Sequence, residues 1–232
     1  MTQVGADYDR WLRRSLSGRL YGLLTTLPGQ ILVNTPGFGL DKELRLTPES
    51  RILDIGCGSG ALLQVIAARV RFQRAPVGVD PSKEMLRKGR GRHGIRLLQA
   101  SGGDLPFADG TFDAVICAHV VKHLQDADLL QLLREVRRVL APGGVALIWE
   151  FAPSGSRLLD RWNRWLITLG IKECTLRRYR DLSALALEAG FDWVANAHLR
   201  PFLYPPVPRV SLILGKAPPG WTPPQASARI EE

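Results

Sequence analysis

Apolar residues in this chain come in short runs, separated by glycine, proline and charge. The first 40 residues carry a helical spacing: Tyr8, Trp11, Leu12 and Leu16 share a face that Leu20, Leu23 and Leu24 extend, until Pro28 and Pro36-Gly37 interrupt it. From Arg51 the pattern changes to unbroken apolar runs of strand length alternating with helical periodicity. Strands are predicted at Arg51–Ile55, Pro76–Val79, Arg96–Ala100, Phe112–Ala118 and Val145–Glu150, with two more at Trp193–Leu199 and Val210–Leu214. Helices are predicted at Ala61–Arg69, Ser82–Gly89, Ala127–Leu140 and Asp181–Ala189. The helix ending at Leu140 has apolar positions Leu129, Leu130, Leu133, Val136, Val139 and Leu140, and Pro142-Gly143-Gly144 is expected to stop it.

Strands alternating with helices specify an α/β fold whose sheet is mostly parallel, with right-handed crossovers. Strands apolar on both sides of the pleat suit a sheet covered on both faces. The organisation expected is a helical cap segment at 1–50, a main domain at 51–216 with an insert at 152–180, and a poorly ordered, proline-rich tail at 217–232.

Composition narrows the class. The chain has 232 residues, 45% hydrophobic and 23% charged, which excludes a disordered or fibrous protein. No apolar run approaches the roughly 20 residues that span a bilayer. The N-terminus MTQVGADYDRW has no apolar signal core, so a cytoplasmic location is expected, with peripheral membrane contact as a further option. Cys57, Cys117 and Cys174 are scattered and without a CxxC pair, which argues for reduced thiols and against a metal site. The net charge is +9, concentrated in Arg87–Arg96 and Arg157–Arg180. Such stretches attract anions, although 25 Arg against 6 Lys also reads as a compositional bias.

The most informative stretch is Ile52-Leu53-Asp54-Ile55-Gly56-Cys57-Gly58-Ser59-Gly60. A strand runs into three glycines and a helix starts at once, so a ligand can lie against bare backbone at a helix N-terminus. Asp80 ends the next strand, where a carboxylate can accept hydrogen bonds from two ribose hydroxyls. The features point to a cofactor containing adenosine. Gly56, Gly58 and Ala61 also satisfy the dinucleotide pattern, so the glycines alone leave the cofactor open.

Four segments at these intervals resemble the class I S-adenosylmethionine-dependent methyltransferases: LDIGCGSG (53–60), GVDPSKEML (78–86), GDLPFADGTFDAVICAHVVKHL (103–124) and REVRRVLAPGGVALIWE (134–150). The nearest subgroup is the small-molecule type that includes quinone-biosynthesis methyltransferases. The resemblance implies a Rossmann-like doubly wound sheet of seven strands with an antiparallel last strand. It implies S-adenosylmethionine as cofactor, with Asp54 on its amino group, Gly56, Gly58 and Gly60 at its close approach, and Asp80 on the ribose. Pro81 and Met85 would pack near the adenine, Asp104 would accept from its exocyclic amine, and the Leu105 N–H would meet a ring nitrogen. Ala118 would offer its carbonyl to the cofactor's amino group, with His119 beside it, while Cys57 fills space in the turn.

His119 and His123 are the candidate bases, on one helical face if that segment is helical; Tyr8 and Tyr179 are further candidates. In the insert, Leu158, Leu159, Trp162, Trp165, Leu166 and Leu169 fall on one helical face, with Arg157, Arg161 and Arg164 elsewhere. That amphipathic helix can pack as a cap, close over an apolar acceptor, or lie on an anionic membrane. The expected activity is methyl transfer to a small or lipid-like acceptor. The alternatives are an RNA methyltransferase using the basic stretches and a non-catalytic module that binds the cofactor and a partner.

Overall fold

The strands form one seven-stranded sheet. The computed structural model describes residues 9–10, 39–167, 174–197, 199 and 208–221. After a short helix α1 (Leu40–Glu43), the order along the chain is β1 (Ile52–Ile55), α2 (Ala61–Val70), β2 (Val77–Asp80), α3 (Lys83–Lys88), β3 (Arg96–Gln99) and β4 (Phe112–Ala118). A 3-10 turn (Val121–His123), α4 (Asp126–Val139), β5 (Leu140–Phe151), α5 (Arg157–Ile167), α6 (Tyr179–Glu188), β6 (Trp193–Asn196) and β7 (Arg209–Gly215) complete it. Across the sheet the order is β3-β2-β1-β4-β5-β7-β6. The first five strands pair in parallel, and β7 is antiparallel to both β5 and β6.

Strand order reverses at β1, whose two neighbours are β2 and β4. Such a switch point opens a crevice at the carboxyl ends of the strands, which is where ligands bind in open α/β sheets. The absence of polar alternation in the strands has the expected cause. Leu53 and Ile55 enter one core with Val115, Cys117 and Ile148, and that core includes Leu129, Leu133 and Val136 of α4. Ile52 enters the opposite core with Ala114, Ile116 and Leu147, against Leu63 and Ile66 of α2. Both faces of the pleat are dry, so the central strands are apolar on both sides apart from Asp54, Asp113 and Glu150.

Boundaries differ most at β5. The strand begins at Leu140 and runs through Pro142-Gly143-Gly144, which the sequence reading took as a helix stop before Val145. Pairing with β4 resumes after an irregularity at Phe112/Ala114, and the prolyl residue sits in that irregular stretch, where no ladder hydrogen bond is lost. On α4 the buried set includes Leu132, which the periodicity left out. The N-terminal helical face expected from Tyr8 to Leu24 lies outside the described residues, as do 168–173, 201–207 and 222–232. Among the described residues no helix is long and apolar enough to cross a membrane.

Candidate active site

The glycine turn leaves β1 at Ile55. Gly56, Gly58 and Gly60 all have positive φ (70°, 56° and 73°), a region that costs an L-residue about 1–2 kcal/mol. Gly56 is restricted by space as well: a Cβ there would stand 2.2 Å from Val120 Cγ2. The segment leaving β4 therefore lies directly against the turn. Gly60 caps α2, whose free N–H groups open toward the crevice.

Asp80 ties the turn to β2. Its Oδ2 accepts the Gly58 N–H at 2.8 Å and its Oδ1 accepts the Ser82 N–H at 2.8 Å. Each oxygen keeps a further lone pair for a hydroxyl. Burial pushes the carboxyl up to about 6, the Ser82 and Gly58 N–H groups pull against that, and Asp9 adds to it. Asp54, 3% exposed in β1, makes no hydrogen bond among the described residues. Burial, and then the charge of Asp80, raise its pKa to about 8. A buried carboxyl in that state is stabilised in its charged form by a cation, and the cofactor's ammonium is one. The residues fit S-adenosylmethionine on this ground: bare glycine backbone, a paired acceptor at Asp80, and an uncompensated buried carboxyl at Asp54.

The remaining cofactor candidates divide. Met85 is buried in α3, with Cε 3.0 Å from where a Gly58 Cβ would stand, so it lines the turn; Pro81 is half-buried beside it. Cys57 points the other way. Its Sγ is 2.7 Å from where a Gly78 Cβ would sit, so the thiol fills the space that Gly78 leaves in β2. Burial raises that thiol well above its usual range, with the charges of Asp54 and Asp80 adding to the effect. Ala118 ends β4 in register with Trp149. Asp104 is exposed, in a tight turn bridged to Ser101.

Leu105 requires a correction. Its N–H, expected to face adenine, is donated to Glu135 Oε2 of α4 at 2.8 Å, and Arg138 closes on the Leu105 carbonyl at 3.0 Å. The tie between this loop and α4 joins residues 30 positions apart, which no local pattern announces. Ser101, two residues past the end of β3 at Gln99 and bridged to Asp104, is a polar residue near the sheet's carboxyl edge that the sequence pattern did not single out. The sequence reading also missed Asp9, a buried carboxylate that accepts from the Ser82 hydroxyl and, at 3.4 Å, from the Glu84 N–H.

His119 and His123 do not share a helical face. His119 follows β4 with φ 60°, and only Val121–His123 form a 3-10 turn. The His119 ring lies between Trp149 and Phe151, at centroid distances of 4.8 and 4.7 Å. Its Nδ1 is 3.5 Å from Glu150 Oε1, and burial lowers its pKa. Burial, and then the Lys122 charge, bring the His123 pKa down to about 3, which favours the neutral ring. Around His119 the structure gathers three charged groups absent from the sequence reading. Glu150 is 1% exposed in β5 and Lys122 is 6% exposed; their Nζ–Oε1 distance is 3.4 Å. Arg209 of β7 stacks over Trp149 and Phe151 at 5.5 and 5.0 Å.

The insert reaches this cluster from its far end. Thr175 N–H donates to the Lys122 carbonyl at 2.8 Å. Arg177, 5% exposed, donates to the Val121 and Leu124 carbonyls at 2.8 and 2.7 Å and to Asp126. On α5 the described apolar side chains are exposed: Leu158 by 76%, Leu159 by 43% and Trp162 by 57%. Tyr179, a weaker candidate base, starts α6 and packs against the core; Tyr8 lies outside the described residues.

With the geometry of the crevice in hand, known proteins can be set beside it. Residues 52–144 match a family described as "Methyltransferase domain". That match, together with the quinone methyltransferase relatives below, supports a class I S-adenosylmethionine-dependent methyltransferase. It is 35% identical over 132 residues to a ubiquinone/menaquinone biosynthesis C-methyltransferase of Geotalea daltonii, covering 50% of this chain and 54% of the relative. It is 31% identical over 154 residues to a 2-phytyl-1,4-naphtoquinone methyltransferase of Thermosynechococcus vestitus, covering 65% of each. The chain thus spans between about half and two thirds of the curated relatives it matches. Among solved structures, the S-adenosylmethionine-dependent methyltransferase SibL superposes with a TM-score of 0.69 at 21% identity, over 93% of this chain and 70% of that one. The [4+2]-cyclase SpnF superposes with the same TM-score of 0.69 at 19% identity, over 93% and 96%. These two likenesses concern the fold alone.

Proposed function

We propose that the chain transfers a methyl group from S-adenosylmethionine to a small, apolar acceptor with an electron-rich ring, of the quinol type. One observation carries this reading: the aromatic wall of His119, Trp149 and Phe151 stands at the ends of β4 and β5, one residue from the Val120 contact with the glycine turn. Trp149 backs this wall from within, at 2% exposure, and an aromatic acceptor would meet the half-buried His119 and Phe151, beside the cofactor cradle. The quinone methyltransferases among the relatives support the same acceptor class.

Asp54 and Asp80 would hold the cofactor at its ammonium and ribose ends. Bound there, S-adenosylmethionine supplies a methyl group on a good leaving group. The protein's own task is alignment, which can lower a barrier by about 7–11 kcal/mol. A lipid-like acceptor partitions into membranes, and α5 offers a means of reaching it. Its exposed Leu158, Leu159 and Trp162, with exposed Arg157 and Arg161, match a helix lying on an anionic surface. An RNA substrate and a non-catalytic binding role gain no support from the relatives matched.

The test is transfer of labelled methyl from S-adenosylmethionine to a panel of short-chain quinols, simple phenols and total RNA. Label in the quinols, with none in RNA, is the expected result; label in RNA alone overturns the acceptor class. Sedimentation with vesicles of pure phosphatidylcholine, or with phosphatidylglycerol added, tests the surface. Binding to the anionic vesicles that Leu158→Glu weakens at least roughly 5-fold is expected.

A further inference from the structure

Glu150, Lys122 and Arg209 meet His119 where β4, β5 and β7 come together, and cofactor binding uses none of the three. Glu150 is the hub. It accepts the Lys122 N–H at 3.1 Å and the Phe151 N–H at 2.9 Å, and it faces the Lys122 ammonium at 3.4 Å and His119 Nδ1 at 3.5 Å. The Lys122 ammonium also donates to the His119 carbonyl. The backbone at His119 is in a strained region, φ 60°, and is held by its N–H on the Trp149 carbonyl at 2.8 Å. Two aromatic rings then fix the imidazole from either side. Both ring nitrogens are buried: Nδ1 faces Glu150 Oε1 at 3.5 Å, and Nε2 has no hydrogen-bond partner among the described residues. Buried polar atoms are normally satisfied, so an unpartnered Nε2 in a rigid setting calls for a partner from outside the chain.

We propose that Glu150 is a positioning residue that holds His119 as the neutral Nδ1–H tautomer, so that Nε2 receives the proton of a hydroxyl-bearing aromatic acceptor. This rests on the methyl-transfer reading above. A carboxylate only accepts, so the imidazole must place its hydrogen on the nitrogen that faces Glu150. Burial would raise the carboxyl's pKa, but Lys122, His119 and the Phe151 N–H together bring it down to about 2, and it stays ionised. Among the described residues the charged groups acting on the ring are Glu150 from β5, Lys122 from the 3-10 turn and Arg209 from β7, with His123 nearby. Burial, first, and then the Lys122 and Arg209 charges lower the ring's pKa against the pull of Glu150, which keeps it neutral and able to accept. In the proton step, the acceptor's O–H bond breaks, its electron pair stays on the acceptor, and the proton forms a bond to Nε2. Glu150 then faces an imidazolium, which returns the proton to water after the product leaves. An acceptor that loses a proton as it gains a methyl group needs no further reactant.

The test uses the full-length, ligand-free protein labelled with 15N-histidine, read by long-range proton–nitrogen correlation. The sequence has 4 histidines, and a His119→Gln variant assigns the signal. The expected spectrum at pH 7 is a neutral His119 in the Nδ1–H form, shifted toward Nε2–H in Glu150→Gln, whose amide can donate. An Nε2–H ring or an imidazolium in the wild type overturns the proposal without any variant having to fold. With a phenolic acceptor, Glu150→Gln is expected to lower kcat at least roughly 10-fold while S-adenosylhomocysteine affinity holds; unchanged kcat overturns it. The expected tautomer with no phenol methylated refutes the methyl-transfer reading and its acceptor. An Nε2–H tautomer with phenol methylated refutes the role of Glu150 alone.

Discussion

The cofactor half and the acceptor half of the crevice are built in opposite ways. The first is mostly backbone: three glycines with positive φ, a helix N-terminus, and two carboxyls at the ends of neighbouring strands. Its parts lie within residues 54–85, and its electrostatics is that of buried acids awaiting a cation. The second is mostly side chain. It takes His119 from the loop after β4, Lys122 from a 3-10 turn, and Glu150 and Arg209 from two strands, and its Glu150 and Lys122 charges are already paired inside the protein. A half made of backbone tolerates little change of shape, whereas a half made of paired charges tolerates little change of charge.

The largest effect is expected in the acceptor half. Lys122→Met leaves Glu150 buried without its ammonium, a type of change that costs about 3–5 kcal/mol. Thermal or denaturant unfolding measures it, and the double variant Lys122→Met/Glu150→Leu should recover most of the loss. A single variant as stable as the wild type would mean that the pair is not buried as described.

Gly56→Ala comes next and strikes the cofactor half. Positive φ and the 2.2 Å approach to Val120 together cost roughly 3 kcal/mol, and binding of S-adenosylhomocysteine should be lost with them. Full affinity in this variant would separate the turn from the cofactor and break the comparison.

A smaller effect is a pH dependence with a definite sign. The folded pKa of Asp54 is raised to about 8, so the stability associated with its neutral form is present below its unfolded value and lost as pH rises through 8. The ligand-free protein should therefore melt lower at pH 9 than at pH 6, and Asp54→Asn should flatten that slope. The same variant should weaken S-adenosylhomocysteine at least roughly 10-fold, because the ammonium loses its counter-charge. A slope unchanged in Asp54→Asn would assign it to other groups.

The smallest effect is expected at Cys57. Its Sγ faces Gly78, so Cys57→Ala should leave cofactor affinity within roughly 3-fold and cost about 1 kcal/mol in packing. A larger loss of affinity, measured by the same titration, would move the thiol into the cradle.

The same contrast explains what could be read from the sequence. Asp54, Gly56, Gly58, Gly60 and Asp80 were legible because turn chemistry and strand ends are local properties. Met85 came from the family resemblance, and the structure places it in α3 against the glycine turn. Glu150 and Arg209 were not legible, since 59 positions separate them and only the antiparallel β5–β7 pairing brings them to one edge. The Leu105 N–H was assigned to a ligand because nothing local tells of Glu135. The 119–123 spacing suggested a helix, but the chain spends those residues leaving a strand through positive φ. Of the apolar face expected on α5, Leu158, Leu159 and Trp162 are exposed, while the side chains of Trp165, Leu166 and Leu169 lie outside the described residues.

The central claim is that the glycine turn, Asp54 and Asp80 make a site for S-adenosylmethionine and not for a dinucleotide. Calorimetric titration of the purified protein with S-adenosylhomocysteine, with NAD as the control, tests it most directly. Micromolar binding of S-adenosylhomocysteine, weakened in Asp54→Asn, with no heat from NAD, is the predicted result. Binding of NAD alone, or of neither ligand, would contradict it.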